Sequence, residues 1–331
     1  MGDPVIDEGG GGAPRPLVFI HDAAIDDFIA TLLIEAMPGV DLLGVAIANA
    51  DCVPEPAMAV ASRVHQLMGR GDLPLGLSAA RGWNPFPWQY REDSVRLGGI
   101  ACLAPFKPAV PAPPPSGDEL LATLLRAAVA AERPLDILLT TGFTPLTQVL
   151  AAEPGLQAGI GRIAWMGGAL DVAGNLDPKT VSPAVANSVA EWNVFWDPFA
   201  AETALAALPG LAVFPLDVTN KAALTPNFMA RLQAQAATYS FSRFAFEAYG
   251  LVSNEPFYDM WDVTAAVWLD APQLFAAPRR TPLEVVQWGF EQGWMRAPAA
   301  PGGRPEHDVY LDFADQAGFY DYVAGRLARS A

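Results

Sequence analysis

Residues 17–27 read LVFIHDAAIDD, an apolar stretch of strand type that passes directly into three acids, Asp22, Asp26 and Asp27. Carboxylates this close together repel one another and raise each other's pKa unless a positive charge lies among them. The first Lys or Arg after this stretch is Arg63. A bound cation would offset the repulsion, and hard carboxylate oxygens suit Ca²⁺ or Mg²⁺ better than Zn²⁺. The stretch therefore predicts a strand whose carboxyl end holds a cation.

Helix capping is the alternative explanation for two of these acids. Asp26 and Asp27 begin the apolar run 28–34, and acids in the first turn of a helix are stabilised by its macrodipole. Capping does not account for Asp22, which falls where the strand ends, at the edge where open α/β sheets bind ligands. The three acids together thus favour a functional site.

The composition is that of a folded protein with a large core. The chain has 331 residues, of which 52% are hydrophobic, enough for one large α/β domain or two smaller domains. No apolar run is long enough to span a bilayer, and the Gly-rich, acidic residues 1–16 do not read as a signal peptide. Because Cys52 and Cys102 are the only two cysteines, no disulfide framework is expected. We expect an unexported, cytoplasmic protein.

The net charge narrows the class of ligand. It is -16 at pH 7, from 36 acidic against 20 basic residues. A chain of this charge is repelled by nucleic acid and by anionic membrane surfaces. We therefore expect neither as a partner, and a neutral or cationic small molecule is favoured.

Apolar runs of strand type alternate with segments of helical periodicity along most of the chain. The predicted strands are 17–20, 42–48, 135–140 and 162–166, with an edge strand at 308–313. The predicted helices begin at Asp26 and cover 57–68, 120–131, 146–152 and 315–329. This alternation predicts the α/β class: a single domain with a mixed, mostly parallel sheet flanked by helices and a Rossmann-like core. The domain is expected to cover 17–331, after a flexible N-terminal segment at 1–16.

Short motifs rich in acids, amides, glycines and aromatics recur through this region. They are HDAAIDDF (21–28), ADC (50–52), NPFP (84–87), MGGA (166–169), GN (174–175), AEWN (190–193), WDP (196–198) and WD (261–262). In this order and spacing the chain resembles a nucleoside hydrolase, most closely of the purine-preferring branch. The resemblance extends from about Leu17 to the C-terminus, and it is specific because many motifs agree at once.

The resemblance implies a Ca²⁺-dependent enzyme that hydrolyses the N-glycosidic bond of purine ribonucleosides to ribose and free base. The Ca²⁺ would be held by Asp22, Asp27, the main-chain carbonyl of Thr141 and the distant Asp262, together with two ribose hydroxyls and a water. Such a reaction passes through an oxocarbenium-like state and needs an activated water. Asp22, in contact with both metal and water, is implied as the general base.

The same resemblance implies two further sets of residues. The ribose would be bound by Asp26, Asn49, Met166, Asn175, Glu191 and Asn193. The base would be bound by Asp51, Trp83, Tyr90 and Trp261. In the second set, Tyr90 and Trp261 would stack on opposite faces of the purine. Relatives of this kind also suggest a homodimer or homotetramer.

Several positions depart from the family pattern. Ile20 stands where the family has Asp, Ala24 stands where Asn or Gly is common, and no His precedes Trp261 as in the pyrimidine-tolerant branch. Two alternatives therefore stay open: hydrolysis of pyrimidine or modified nucleosides, and a degenerate member that only binds nucleosides. A metal-dependent phosphatase also opens with a strand and closely spaced acids. It is less favoured, because Ala24 breaks the Asp-x-Asp pair and no Lys or Arg for phosphate lies nearby.

The three histidines are predicted to lie outside the site. His21 alternates with Asp22 along the strand, so its side chain should pack behind the sheet, away from the cation. His65 is expected within a helix and His307 in a polar loop, each solvated or hydrogen-bonded.

Overall fold

Strand β1, Arg15–His21, lies inside the sheet, and its last six residues are buried. The structure is a computed structural model that describes residues 13–176, 187–255, 257–300 and 302–331. The other strands in these ranges are β2 (Val40–Ile47), β3 (Leu75–Leu77), β4 (Leu135–Thr140), β5 (Ile160–Met166), β6 (Ala212–Phe214), β7 (Arg279–Pro282), β8 (Glu284–Val285), β9 (Met295–Arg296) and β10 (Glu306–Val309).

Eight of these strands form one sheet, in the order β3-β2-β1-β4-β5-β6-β10-β7, and β8 pairs with β9 separately. Every pair in the large sheet is parallel except β10 with β7, which is antiparallel. Because parallel neighbours end at the same edge, the carboxyl ends of β1, β2, β4 and β5 lie side by side. The structure thus confirms the predicted α/β domain with a mixed, mostly parallel sheet.

Helices cover both faces of the sheet. They are α1 (Ile25–Glu35), α2 (Pro54–Leu67), α3 (Trp88–Arg91), α4 (Asp93–Leu97), α5 (Gly117–Ala130), α6 (Thr144–Ala152), α7 (Trp192–Trp196), α8 (Pro198–Ala207), α9 (Leu216–Thr219), α10 (Pro226–Ala236), α11 (Ser240–Gly250), α12 (Trp261–Trp268) and α13 (Gln316–Leu327), with short 3₁₀ turns at Ala101–Leu103, Pro154–Gly159 and Pro272–Leu274. None of the helices in the described ranges has the length and apolarity needed to cross a membrane.

Strand β1 supplies side chains to two hydrophobic cores, one on each face of the sheet. Leu17 and Phe19 pack into the core that also contains residues of α1, α2, α11, α12 and α13. Val18 and Ile20 pack into the opposite core, with residues of α5, α6 and α8. The alternation follows from the two-residue period of a strand, and burial on both faces explains why β1 reads as an unbroken apolar run.

The amino ends of three strands are joined by an ion-pair network around Asp136 on β4. Its carboxylate accepts hydrogen bonds from Arg15 at 2.7 Å and from the Arg162 side chain at 2.9 Å. Asp136 is buried, and although burial raises the pKa of a carboxyl group, hydrogen bonds from the two guanidinium groups leave the Asp136 pKa below its usual value. The network therefore ties β1, β4 and β5 together at the edge opposite the predicted site.

Two boundaries differ from the sequence predictions. β1 begins at Arg15, two residues before the predicted strand, while residues 1–12 of the predicted flexible segment lie outside the described residues. The predicted edge strand at 308–313 is wrong: β10 covers Glu306–Val309 and lies between β6 and β7. The edge position belongs instead to β7, whose Arg-rich sequence gave no strand signal. Alternating polarity marks a half-exposed strand but does not reveal which strands lie beside it.

Candidate active site

The carboxyl ends of four neighbouring strands bring most of the predicted site residues to one edge of the sheet. Asp22 follows β1, Asn49 and Asp51 follow β2, Thr141 follows β4, and Met166 ends β5. These strands are adjacent in the order β2-β1-β4-β5, and all are parallel. The structure therefore collects at one edge residues that are more than 100 positions apart in the sequence.

Asp27 is fixed where β1 turns into α1. Its Oδ2 accepts a hydrogen bond from the backbone N–H of Ala24 at 3.0 Å, and its Oδ1 accepts one from Thr140 Oγ1 at 2.5 Å. The turn between the strand and the helix has Ala23 at φ 66°, in the left-handed region that favours glycine. A non-glycine residue held there costs on the order of 1–3 kcal/mol, a strain often found at functional sites.

Asp262 reaches the same place from α12, near the other end of the chain. Its backbone N–H donates to Asp26 Oδ2 at 2.8 Å, a contact across 236 positions. Tyr258 Oη donates to the other oxygen, Asp26 Oδ1, at 3.2 Å. The first turn of α1 and the first turn of α12 thus meet, and both carry buried acids.

Burial and mutual repulsion dominate the electrostatics of these acids. Burial raises the pKa of Asp22 well above its usual value, and the charges of Asp27 and Asp51 raise it further. Burial, followed by the charge of Asp27, raises the pKa of Asp26 to about 7. The pKa of Asp262 is also raised, by burial and then by the charges of Asp26 and Asp27. Within the protein alone, these carboxyl groups would therefore tend to bind protons.

The donor chemistry of this edge fits a hard divalent cation. Asp22 Oδ2 is buried and has no hydrogen-bond partner among the described residues. The Thr141 carbonyl accepts one hydrogen bond, from Trp165 Nε1 at 3.1 Å, which leaves its second lone pair for another ligand. In the described ranges no three His, Cys, Asp or Glu side chains are already placed to hold a metal ion. The carboxylates would therefore have to move closer together around a cation.

A second group of predicted residues lies around Glu191, which caps α7. Its carboxylate accepts hydrogen bonds from the backbone N–H groups of Gly168 at 2.8 Å and Asn193 at 2.9 Å. Burial raises the Glu191 pKa to about 7, although these hydrogen bonds act in the opposite direction. The Asn193 amide donates to the Met166 carbonyl at 3.1 Å, and Asn175 Oδ1 accepts from the Trp192 N–H at 3.2 Å. The predicted ribose residues of β5 and α7 are thus in contact.

The aromatic residues predicted to bind the base are placed differently from one another. The Trp261 ring packs edge-on against Tyr258, with centroids 4.9 Å apart, and Trp261 directly precedes Asp262. Tyr90 packs edge-on against Trp192, next to Glu191. The contacts of Trp83 are with Phe199 and Trp288, and 59% of Trp83 is exposed. The structure therefore places Trp261 and Tyr90 beside site residues and Trp83 in a separate, exposed aromatic cluster.

Two further residues join the site without having been singled out from the sequence. Arg91 donates from Nε to the Cys52 carbonyl at 2.8 Å and from Nη2 to Asn49 Oδ1 at 2.7 Å. Tyr258 donates to Asp26, as described above. Neither residue stands in a motif, and each contact joins segments that are far apart in the sequence. The only local signal was an arginine and a tyrosine close to aromatic and acidic residues.

The histidine predictions need correction. His21 was expected to point away from the acids, but its Nδ1 accepts from the Ala23 N–H at 3.0 Å and lies 3.5 Å from Asp27 Oδ2. The left-handed turn at Ala23 brings the chain back over the ring, which also packs on Phe19. Of the two states expected for His65, the hydrogen-bonded one is present: the ring is buried and bonds the Leu73 backbone, while its Nε2 has no partner within the described residues. Burial lowers the pKa of His65 to about 4.

His307 was placed in a polar loop by the sequence, which is also wrong. It lies in β10 and is buried. Its Nε2 is 3.0 Å from the Leu205 carbonyl, so the expected hydrogen bond is present. Nothing connects it with the acids at the other edge of the sheet.

The known proteins to which this chain is similar include nucleoside hydrolases. A family model described as "Inosine-uridine preferring nucleoside hydrolase" matches residues 17–321. A pyrimidine-specific ribonucleoside hydrolase, RihA, from Klebsiella pneumoniae (strain 342) is 27% identical over 328 residues, covering 95% of this chain and 98% of the relative.

Solved structures show the same fold. An inosine-uridine preferring nucleoside hydrolase from Bacillus anthracis superposes with a TM-score of 0.82 and 27% identity, over 96% of this chain and all of the other. A purine-preferring ribonucleoside hydrolase from Gardnerella vaginalis gives a TM-score of 0.75 at 19% identity, over 95% and 98% of the two chains, and supports the fold alone. With the family model matched across nearly its whole length, the chain belongs to the inosine-uridine preferring nucleoside hydrolases, glycosidases that act on N-glycosyl compounds.

Proposed function

We propose that this enzyme uses Ca²⁺ to hydrolyse ribonucleosides, with a preference for purine bases, to ribose and the free base. The observation that carries the proposal is the meeting of Asp22, Asp26 and Asp27 with Asp262 at one edge of the sheet, where an unpartnered carboxylate oxygen is buried. Acids are gathered and buried in this way at a cost in free energy, which a bound cation would offset.

Asp22, Asp27, Asp262 and the Thr141 carbonyl would hold the cation. When bound, Ca²⁺ supplies positive charge that lowers the pKa of a coordinated water and orients the ribose hydroxyls. Asp22 would accept the proton of the attacking water, because its carboxylate would contact both the cation and that water. Asp26 would accept a hydrogen bond from a ribose hydroxyl, since its carboxylate lies between α1 and α12.

The ribose would be gripped from two sides. Asn49, at the end of β2, lies on the Arg91 side of the site, and Asn175, Glu191 and Asn193 lie on the α7 side. A grip on the non-reacting end of the sugar can draw C1′ toward the planar geometry of an oxocarbenium ion. Contact between Asn193 and Met166 supports a connected wall on this side.

A preference for purines is supported by the aromatic side chains. Trp261 is fixed next to the proposed ligand Asp262 by the start of α12, and its Nε1 donates to Asn220 Oδ1 at 3.2 Å. A large flat side chain in this position would stack on a bicyclic base better than on a single ring. Pyrimidine nucleosides are the second candidate, because the RihA relative named above is pyrimidine-specific and matches 95% of this chain.

The experiment is a reducing-sugar assay of purified protein with inosine, adenosine, uridine and cytidine, before and after chelation. We expect ribose release, fastest with inosine or adenosine, loss on chelation and recovery with Ca²⁺. Asp22→Asn should abolish release, whereas the matched control Asp72→Asn, an exposed acid outside the site, should not. Ribose released equally by Asp22→Asn, or activity indifferent to chelation, would overturn the mechanism.

Three further outcomes separate the alternatives. Faster release from uridine and cytidine would establish the pyrimidine candidate, and binding of nucleosides without ribose release would identify a degenerate member. Release of phosphate from p-nitrophenyl phosphate would indicate the phosphatase instead. The cytoplasmic location, the homo-oligomeric state and the boundary at residue 17 stay predictions.

A further inference from the structure

Arg91, the last residue of α3, lies against the end of β2. Its two hydrogen bonds, to the Cys52 carbonyl and to Asn49 Oδ1, hold the guanidinium group over residues 49–52. An arginine has five N–H donors in a planar fork, so these two bonds leave donors for a ligand. The segment below it carries Asn49 and Asp51, which were assigned above to the sugar and the base.

The charge of Arg91 stands out against its surroundings. Most titratable groups that face this edge are acids, and Arg91 is the positive group that acts on the buried carboxylate of Asp51. Asp51 Oδ1 is buried and has no hydrogen-bond partner among the described residues. Asp51 and Arg91 thus offer an acceptor beside a charged donor. A nucleobase edge has the complementary pattern, an N–H beside a carbonyl oxygen or a ring nitrogen.

We propose that Arg91 binds the departing base and stabilises the negative charge that develops on it as the N-glycosidic bond breaks. This inference rests on the proposed nucleoside hydrolysis, and it assigns a residue to the departure of the base. The chain has no histidine between His65 and Trp261 that could protonate the base. Arginine stays protonated at any working pH, so it contributes charge and hydrogen bonds rather than a proton.

The step balances without another reactant. The bond between C1′ and the base nitrogen breaks, and its electron pair goes to the base, where it spreads onto the oxygen or ring nitrogen that faces Arg91. The oxygen of the attacking water forms the new bond to C1′, and the water proton passes to Asp22. The base leaves as an anion paired with the guanidinium group and takes a proton from solvent after release, while Asp22 gives its proton back to solvent.

The test compares two substrates that differ in how much help their leaving group needs. Inosine releases a purine anion that is more basic than p-nitrophenolate, whereas p-nitrophenyl β-D-ribofuranoside carries the same sugar and releases the more stable phenolate. Arg91→Gln removes the charge but keeps an amide that can donate to Asn49. We expect kcat/KM for inosine to fall about 100-fold, and kcat/KM for the aryl riboside to change by no more than about 3-fold.

The ratio of the two values is the decisive readout, because it does not depend on the fraction of folded protein. Arg63 is the matched control: it is also half-buried and donates from Nε and Nη1, but its acceptors are the Leu103 and Gly98 carbonyls. Arg63→Gln should leave the ratio unchanged. Equal losses with both substrates in Arg91→Gln would show that Arg91 only positions Asn49, and would overturn the inference.

Failure of the inference can be told apart from failure of the proposed function. Wild-type protein that cleaves neither substrate would refute nucleoside hydrolysis itself. Wild-type protein that cleaves the aryl riboside but no nucleoside would show that the leaving group receives no stabilisation, and would refute the role of Arg91.

Discussion

Removal of the divalent cation should make stability strongly dependent on pH. In the folded protein without a cation, burial and the charge of Asp27 raise the pKa of Asp26 from 3.8 to about 7. A group whose pKa is higher in the folded state binds its proton more tightly there. Its contribution to stability is therefore complete below about pH 4 and is lost as the pH rises through 7. At pH 8 an ionised Asp26 without a cation destabilises the fold.

The size of the effect follows from the shift. A rise of about three pKa units corresponds to about 4 kcal/mol for Asp26 alone. For a chain of 331 residues, the average unfolding entropy converts this to about 6 °C in Tm. A bound cation would offset this penalty at pH 8. At pH 5 the carboxyl groups hold protons, which compete with the metal. Because there is then little repulsion between ionised acids, Ca²⁺ should stabilise the fold only slightly.

The assay is differential scanning fluorimetry of chelated protein, with and without 5 mM Ca²⁺, at pH 5 and pH 8. For a site of micromolar affinity this is roughly 1,000 times the dissociation constant, which by mass action stabilises the folded state by about 4 kcal/mol. We expect Ca²⁺ to raise Tm by about 6 °C at pH 8 and by less than about 2 °C at pH 5. Asp26→Asn should reduce the pH dependence of the chelated protein, because the amide has no proton to gain or lose in this pH range. Its oxygen can still accept the hydrogen bond from the Asp262 N–H, so the contact is kept. Equal Ca²⁺ shifts at both pH values, or a chelated protein more stable at pH 8, would refute the reasoning.

Three other substitutions test separate parts of the structure. Asp262→Asn should lower kcat for nucleosides on the order of 1,000-fold and reduce the rise in Tm that Ca²⁺ gives at pH 8, because it removes a ligand of the cation, which would supply several kcal/mol of transition-state stabilisation; a loss under 10-fold would exclude it as a ligand. Trp261→Ala should raise KM for inosine about 10-fold more than KM for uridine if it stacks on the larger base, and equal changes would argue against stacking. Asp136→Asn should lower the free energy of unfolding by about 3 kcal/mol in urea titration, since two arginines lose their buried partner, while kcat stays constant; unchanged stability would show that the network is not needed.

Most of the fold could be predicted because parallel strands buried on both faces have a simple pattern. β1 and β4 are apolar throughout and are separated by helical segments, so their type was visible locally. The position of β10 was not, because it depends on pairing with β6 almost 100 residues earlier. Nothing in the local sequence of β10 shows whether it lies at the edge of the sheet or has a further, antiparallel neighbour such as β7.

The candidate site shows the same division between local and distant information. Asp22, Asp26 and Asp27 were evident from one short segment, since their mutual repulsion is a property of nearby residues. Asp262 was reached only through the family resemblance, and Arg91 was missed, because its partner Asn49 lies 42 positions away. Trp83 was also reached only through the resemblance, as a base-binding residue. In the structure it packs against Phe199 and Trp288, and its role with the base stays a prediction.

The contact between Asp262 and Asp26 has a consequence for when the enzyme first becomes competent. On the ribosome the chain emerges from its N-terminus, so the sheet can begin to form long before α12 has been made. A nascent chain that ends before residue 261 contains Asp22, Asp26 and Asp27 but lacks α12 and therefore Asp262. With Asp262 in its proposed role, catalytic competence would be gained in one late step, and brief opening of α12 in the finished protein would abolish it while the sheet remains intact.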